Sequence, residues 1–144
     1  MSNEVRPMEA FKYIRPAVDR PKTIVWLAKT DRLFATVQVI THGGETNLHA
    51  HSHLDGVWFV LRGRARFYSD LNTVAAELGE YEGILIPRGA KYWFESVGDE
   101  PLEILQVECS DIPLRTHEEL MADRTDYTPP PRSGRTANVE AMRL

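Results

Sequence analysis

Apolar and polar positions alternate in short blocks along this chain, and glycine and proline separate the blocks. β-Branched and aromatic residues recurring with a period of two predict strands at residues 23–28, 32–41, 46–53, 57–62, 64–68, 83–86, 92–96 and 102–109. Turn residues fall between them: Gly43-Gly44, Asp55-Gly56, Gly63, Ser69-Asp70, Pro87-Arg88-Gly89 and Gly98-Asp99. Short strands at near-regular spacing predict an all-β barrel or sandwich. Strands do not alternate with helical patterns, so a doubly wound nucleotide-binding sheet is not expected. One short helix is predicted near the end. Thr116-His117-Glu118-Glu119 has the form of a capping box, with two acids in the first turn where the helix dipole favours them. The run Thr128-Pro129-Pro130-Pro131 stops it. Residues 1–127 therefore read as one domain with an N-terminal extension. Residues 128–144 read as a Pro-rich extended tail, either wrapped on the domain or disordered.

Composition narrows the function classes. The chain has 144 residues, 42% of them hydrophobic, enough for a core without disulfides. Its net charge of −4, without Lys/Arg blocks, argues against general nucleic-acid binding. No apolar run is long enough to span a bilayer, and the first residues do not read as a signal peptide. Cys109 is the single cysteine, which fits a reducing compartment and a cytoplasmic location.

The chemistry concentrates in residues 48–63, LHAHSHLDGVWFVLRG. His49, His51 and His53 alternate, so on a continuous strand all three imidazoles share one face. Imidazoles set this close suit a transition-metal ion. The alternative is a polar strand face. Gln106 interrupts the apolar stripe of Leu102 and Ile104, and a buried amide needs a partner. Gln38 and His42 share a face of the strand at 32–41 and are further candidates. By alternation Tyr92, Phe94 and Ser96 face inward, where aromatic groups with a few polar ones suit a small-molecule pocket. Arg62, Arg64 and Arg66 alternate on one face and read as a solvated one.

The spacing of these residues resembles that of the cupin superfamily, small double-stranded β-helix (jelly-roll) barrels. Its first motif is Gly, five residues, His-x-His, three or four residues, Glu, six residues, Gly. Here Gly43, His49 and His51 match, Gly56 stands at the glutamate position, and Gly63 closes the motif. The second is matched by Gly79 and Pro87-Arg88-Gly89, with Tyr92 at its histidine and Ser96 at its asparagine position. The resemblance covers about residues 32–110. It implies the barrel fold, a homodimer and a divalent metal, zinc first, with iron, nickel or manganese as alternatives. His49 and His51 carry over as ligands. Gly56 and Tyr92 leave two ligand positions unmatched, and His53, Gln106 or Asp55 would complete the set, Asp55 through a bulge that re-aims it.

Which group completes the set decides the chemistry. Neutral ligands favour a Lewis acid that polarises a carbonyl. The resemblance to polyketide-cyclase-like members then implies a cyclase or isomerase acting on a small carbonyl-bearing or aromatic metabolite. His53, where it is not a ligand, would move the proton, and Tyr92 would donate a hydrogen bond to the developing oxyanion. A carboxylate from Asp55 would instead favour an iron dioxygenase. A barrel that has lost its metal would be a non-catalytic ligand binder.

Overall fold

Strands form where alternation lets one face of an extended segment be buried, and the two ends of the chain extend that pattern further than its motifs do. The structure, a computed structural model, describes residues 4–130 and 136–144. In chain order its elements are β1 (Phe11–Lys12), β2 (Lys22–Lys29), β3 (Leu33–Ile40), β4 (Gly44–His51), β5 (Leu54–Arg62), β6 (Arg64–Tyr68), β7 (Val74–Leu78), β8 (Gly83–Ile86), β9 (Tyr92–Val97), β10 (Leu102–Ser110), α1 (His117–Ala122), β11 (Arg124–Asp126), β12 (Thr136–Glu140) and β13 (Met142–Arg143). A six-stranded sheet runs β12-β2-β3-β10-β5-β8, and a five-stranded sheet runs β11-β4-β9-β6-β7. They make the double-stranded β-helix of an all-β jelly roll.

The inward faces of the two sheets share one core. Trp58 and Val60 of β5, Leu102 and Ile104 of β10, and Ile40 of β3 meet Ala65 and Phe67 of β6 and Tyr92 and Phe94 of β9. Trp58 and Phe94 have ring centroids 4.8 Å apart, and Phe67 and Phe94 4.7 Å. Side chains of this kind each contribute roughly 1.5–3 kcal/mol by burial. A second cluster lies on the other face of the six-stranded sheet: Val25, Leu27, Val37 and Val39, covered by Tyr13 and Ala141. The Tyr13 hydroxyl donates to Glu103 Oε1 at 2.5 Å, pinning the N-terminal segment.

Three local readings are corrected. Asp55-Gly56 is no turn but lies inside β5; the chain reverses at Ser52-His53 instead. β7 escapes a search for β-branched runs because VAAEL has two alanines and a single β-branched residue, yet it pairs with β6, where Arg66 Nε donates to Glu77 at 2.6 Å. Part of the tail is sheet: β12 pairs in parallel with β2, and β13 pairs with β1. Residues 131–135 of the tail lie outside the described residues. The predicted helix is present over six residues, and the Thr116 side chain accepts from the Glu119 amide at 3.0 Å. Among the described residues no helix is long and apolar enough to cross a membrane.

Candidate functional site

β4 carries the histidines between two partner strands: His49 lies opposite Tyr92 of β9 and Asp126 of β11. His49 is fully buried, and its Nδ1 is 2.8 Å from the Asn47 carbonyl oxygen. A carbonyl only accepts, so Nδ1 carries the proton, and in the neutral ring Nε2 is the basic nitrogen. The His49 ring lies 4.3 Å from Tyr92 and 5.4 Å from His51, centroid to centroid. Asn47 is itself held by its side chain, which donates to Asp126 at 2.6 Å and accepts from Arg124 at 2.7 Å. Burial pushes the Asp126 carboxyl up, but hydrogen bonds and charge from Arg124, with Asn47, outweigh it and leave the carboxyl below the ordinary value.

The six-stranded sheet brings a second polar group to the interior, on the inward parity of β10 and β3. Gln106 Oε1 accepts from the Thr36 hydroxyl and from Gln38 Nε2, both at 3.0 Å. Two donors on its oxygen fix the amide orientation, and its Nε2 donates to Glu108 Oε1 at 3.0 Å. Glu108 is 2% exposed and lies directly opposite Gly56. A Cβ on residue 56 would stand 2.8 Å from Glu108 Oε2 and 2.9 Å from its Cδ. Glycine at the glutamate position of the motif therefore leaves space that the Glu108 carboxylate fills. Trp58, two residues from Gly56, lies 6.2 Å from Tyr92 and joins the two sheets. Glu108 was not found by sequence reasoning. Its signal was a charge on the same parity as Leu102, Ile104 and Gln106, coupled to a missing motif acid.

The other candidates are placed elsewhere. His53 follows the end of β4 with its side chain 40% exposed, and its Nδ1 bonds Asp123 Oδ1 at 2.6 Å. Asp123 is buried and also lies 3.8 Å from His51 Nδ1. His53 thus faces a rim cleft of about 340 Å³, lined also by Ser52, Leu114, Arg115 and Glu119. Asp55 is on the opposite face of β5 from Gly56. β5 holds its register with β10 there, so no bulge re-aims it, and it pairs with Arg88 at the surface. His42 is exposed, and Arg62 and Arg66 pair with Glu100 and Glu77 on the outside.

The side chains as placed do not fit a divalent metal. His49 and His51 are neighbours, but the Gln106 oxygen already accepts two bonds, Asp55 lies outside, and His53 is held by Asp123. Among the described residues no three His, Cys, Asp or Glu side chains form a group that could hold a metal ion, and a stable site needs at least that many protein donors.

The motif histidines and the interior they enter define a class. The family model of the cupin domain matches residues 36–108, and the chain belongs to that family. Among solved structures, it is similar to a Klebsiella pneumoniae protein with a double-stranded β-helix domain, at 20% identity and TM-score 0.61, over 81% of this chain and 92% of that one. It is also similar to the cupin domain of Schizosaccharomyces pombe Cnp3, at 19% identity and TM-score 0.55, over 61% of this chain and 64% of that one. The nucleoside dehydratase Pac13 of Streptomyces aligns at 12% identity and TM-score 0.55, over 74% of this chain and 78% of that one. At these identities the likeness is one of fold. No curated protein matches the chain.

Proposed function

We infer that the barrel binds a small carbonyl-bearing, planar metabolite and moves a proton on it, as an isomerase or cyclase. The observation that carries this reading is the buried contact between His49, with its tautomer fixed by the Asn47 carbonyl, and the Tyr92 phenol. His49 Nε2 is a base with a near-neutral ordinary pKa, and Tyr92 is a hydrogen-bond donor for a developing oxyanion. Trp58, Phe67 and Phe94 pack on one another as the apolar core beside this pair. The zinc-based version expected from the motif would polarise the same carbonyl, but the placed side chains lack its third ligand. His53, bonded to Asp123 at the rim, takes no part in this proton transfer.

The test begins with native mass spectrometry for a co-purified ligand. A thermal-shift panel of aromatic β-carbonyl compounds follows. Uridine is included because Pac13 structures hold it on the same fold. For the compound that is turned over, Tyr92→Phe and His49→Gln should retain binding and lose turnover on the order of 10²–10⁴-fold. Full turnover in both variants refutes the assignment. Binding without any turnover by the unmodified protein makes the barrel a non-catalytic binder.

A further inference from the structure

We propose that the rim cleft is a second site of chemistry, in which Asp123 holds His53 as the general base of an ester hydrolysis. The cleft lies outside the barrel interior and uses neither His49 nor Tyr92. Three bonds from the turn between β4 and β5 converge on Asp123. The Ser52 amide donates to its carbonyl oxygen at 3.0 Å, the His53 amide to its Oδ2 at 3.2 Å, and His53 Nδ1 to its Oδ1 at 2.6 Å. The Asp123 side chain is 1% exposed, while the His53 ring stands partly in solvent.

These contacts fix more than the path of the turn. A carboxylate only accepts, so His53 Nδ1 carries the proton, and in the neutral ring Nε2 holds the lone pair. The two nitrogens of an imidazole point in diverging directions, so Nε2 is turned away from the carboxylate on a ring that lines the cleft. The two backbone bonds already tether the turn, and any residue but proline at 53 would make its share of them. Only the ring bond calls for histidine. A basic nitrogen whose proton position is set by a buried acid is the arrangement that general-base sites share.

The walls of the cleft point to the substrate class. Its volume of about 340 Å³ is that of a small-molecule site. Ile112, Pro113 and Leu114 give it an apolar side. Asp123 and Glu119 set against the Arg115 guanidinium leave no net attraction for an anion, and Glu119 Oε2 already accepts from the Arg115 amide at 2.6 Å. A neutral ester with a short apolar acyl group matches this lining. In the reaction a water oxygen bonds to the acyl carbon while His53 Nε2 takes one of the water protons. The bond from that carbon to the alcohol oxygen then breaks, and Nε2 returns the proton to the departing oxygen. The products are a carboxylic acid and an alcohol, and the imidazole ends neutral. Asp123 is a positioning residue throughout: it keeps the Nδ1 tautomer and stabilises the transient imidazolium.

The experiment uses the full chain without a histidine tag, with p-nitrophenyl acetate and p-nitrophenyl butyrate as probe esters. It needs no barrel ligand, so it holds or fails independently of the proton transfer at His49 and Tyr92. The unmodified protein should hydrolyse both esters above the rate without protein. His53→Gln should lose about tenfold or more of that rate, and His117→Gln, at the exposed start of α1, should lose none. The nitrogen-15 spectrum of the ring nitrogens should show His53 protonated at Nδ1. Asp123→Asn offers one acceptor where the His53 amide and ring need two, so it should disturb that tautomer and lower kcat about tenfold or more with KM unchanged. Absence of hydrolysis by the unmodified protein would overturn the proposal, as would a full rate in His53→Gln or a His53 ring protonated at Nε2. A full rate in Asp123→Asn with a lowered melting temperature would make the aspartate a tether only and overturn it too. If Asp123→Asn does not fold, the His53→Gln rate and the ring spectrum of the unmodified protein decide.

Discussion

Gly56→Ala is the smallest change that tests the packing at the centre of the site. The backbone tolerates it, since Gly56 has an ordinary extended conformation. The added Cβ would lie 2.8 Å from Glu108 Oε2, 0.6 Å inside the 3.4 Å at which ordinary contact begins. Glu108 must swing away, and the swing breaks its 3.0 Å bond from Gln106. A hydrogen bond to a charged group contributes about 1.5–3 kcal/mol. Alanine for glycine in an extended strand returns about 0.5–1 kcal/mol. Gly56→Ala alone should therefore destabilise by about 1–2 kcal/mol, a fall in melting temperature of roughly 3–8 °C. With Glu108→Ala already in place the obstruction is gone, and Gly56→Ala should be neutral or stabilising. Urea unfolding of the four proteins in the cycle should give a coupling energy of about 1–3 kcal/mol. Additivity to within about 0.5 kcal/mol would refute the claim that the two positions compete for one space.

Tyr13→Phe removes the hydroxyl that bonds buried Glu103 and should cost about 1–2 kcal/mol, discounted because Tyr13 is only half-buried. Burial, with the bond to Glu103 and its charge, raises the Tyr13 phenol above its ordinary value. Its contribution is thus complete below about pH 10 and lost as pH rises through the folded value, so an alkaline unfolding series should flatten in Tyr13→Phe. Asp126 behaves in the opposite sense: a carboxyl held below its ordinary value contributes stability above about pH 4 and loses it as pH falls through the folded value. Asp126→Asn should flatten the acid limb of the urea midpoint, and an unchanged slope would show that the Arg124 bonds do not hold that carboxyl.

Strands with one buried face were readable from alternation, and β6 and β8 fall on the predicted residues because Arg64–Tyr68 and Gly83–Ile86 end at turn-forming neighbours. β5 was misread at its start because Asp55-Gly56 is a turn signal locally. Only the contact with Glu108, fifty-two residues later, shows why glycine stands there. The same limit separated the histidines. Alternation places His49, His51 and His53 on one face only while the strand continues, and β4 ends at His51. Asp123, from the far side of α1, then draws His53 to the rim. Motif spacing located His49 and Tyr92, but Glu108, the acid opposite Gly56, stands on a strand on which the motifs are silent.

The parallel pairing of β12 with β2 has a consequence for how the protein is made. Synthesis proceeds at roughly 5–20 residues per second, N-terminus first. β2 and β3 therefore leave the ribosome long before Ala141, which helps to cover Val25, Leu27, Val37 and Val39. The inner core can assemble from residues up to Ile104 while this outer face, reached so far by Tyr13 and Leu61, still lacks Ala141 and the β12 pairing. For that interval the nascent chain presents a valine-rich face and an unpaired β2 edge, the kind of surface that chaperones bind and aggregates grow from.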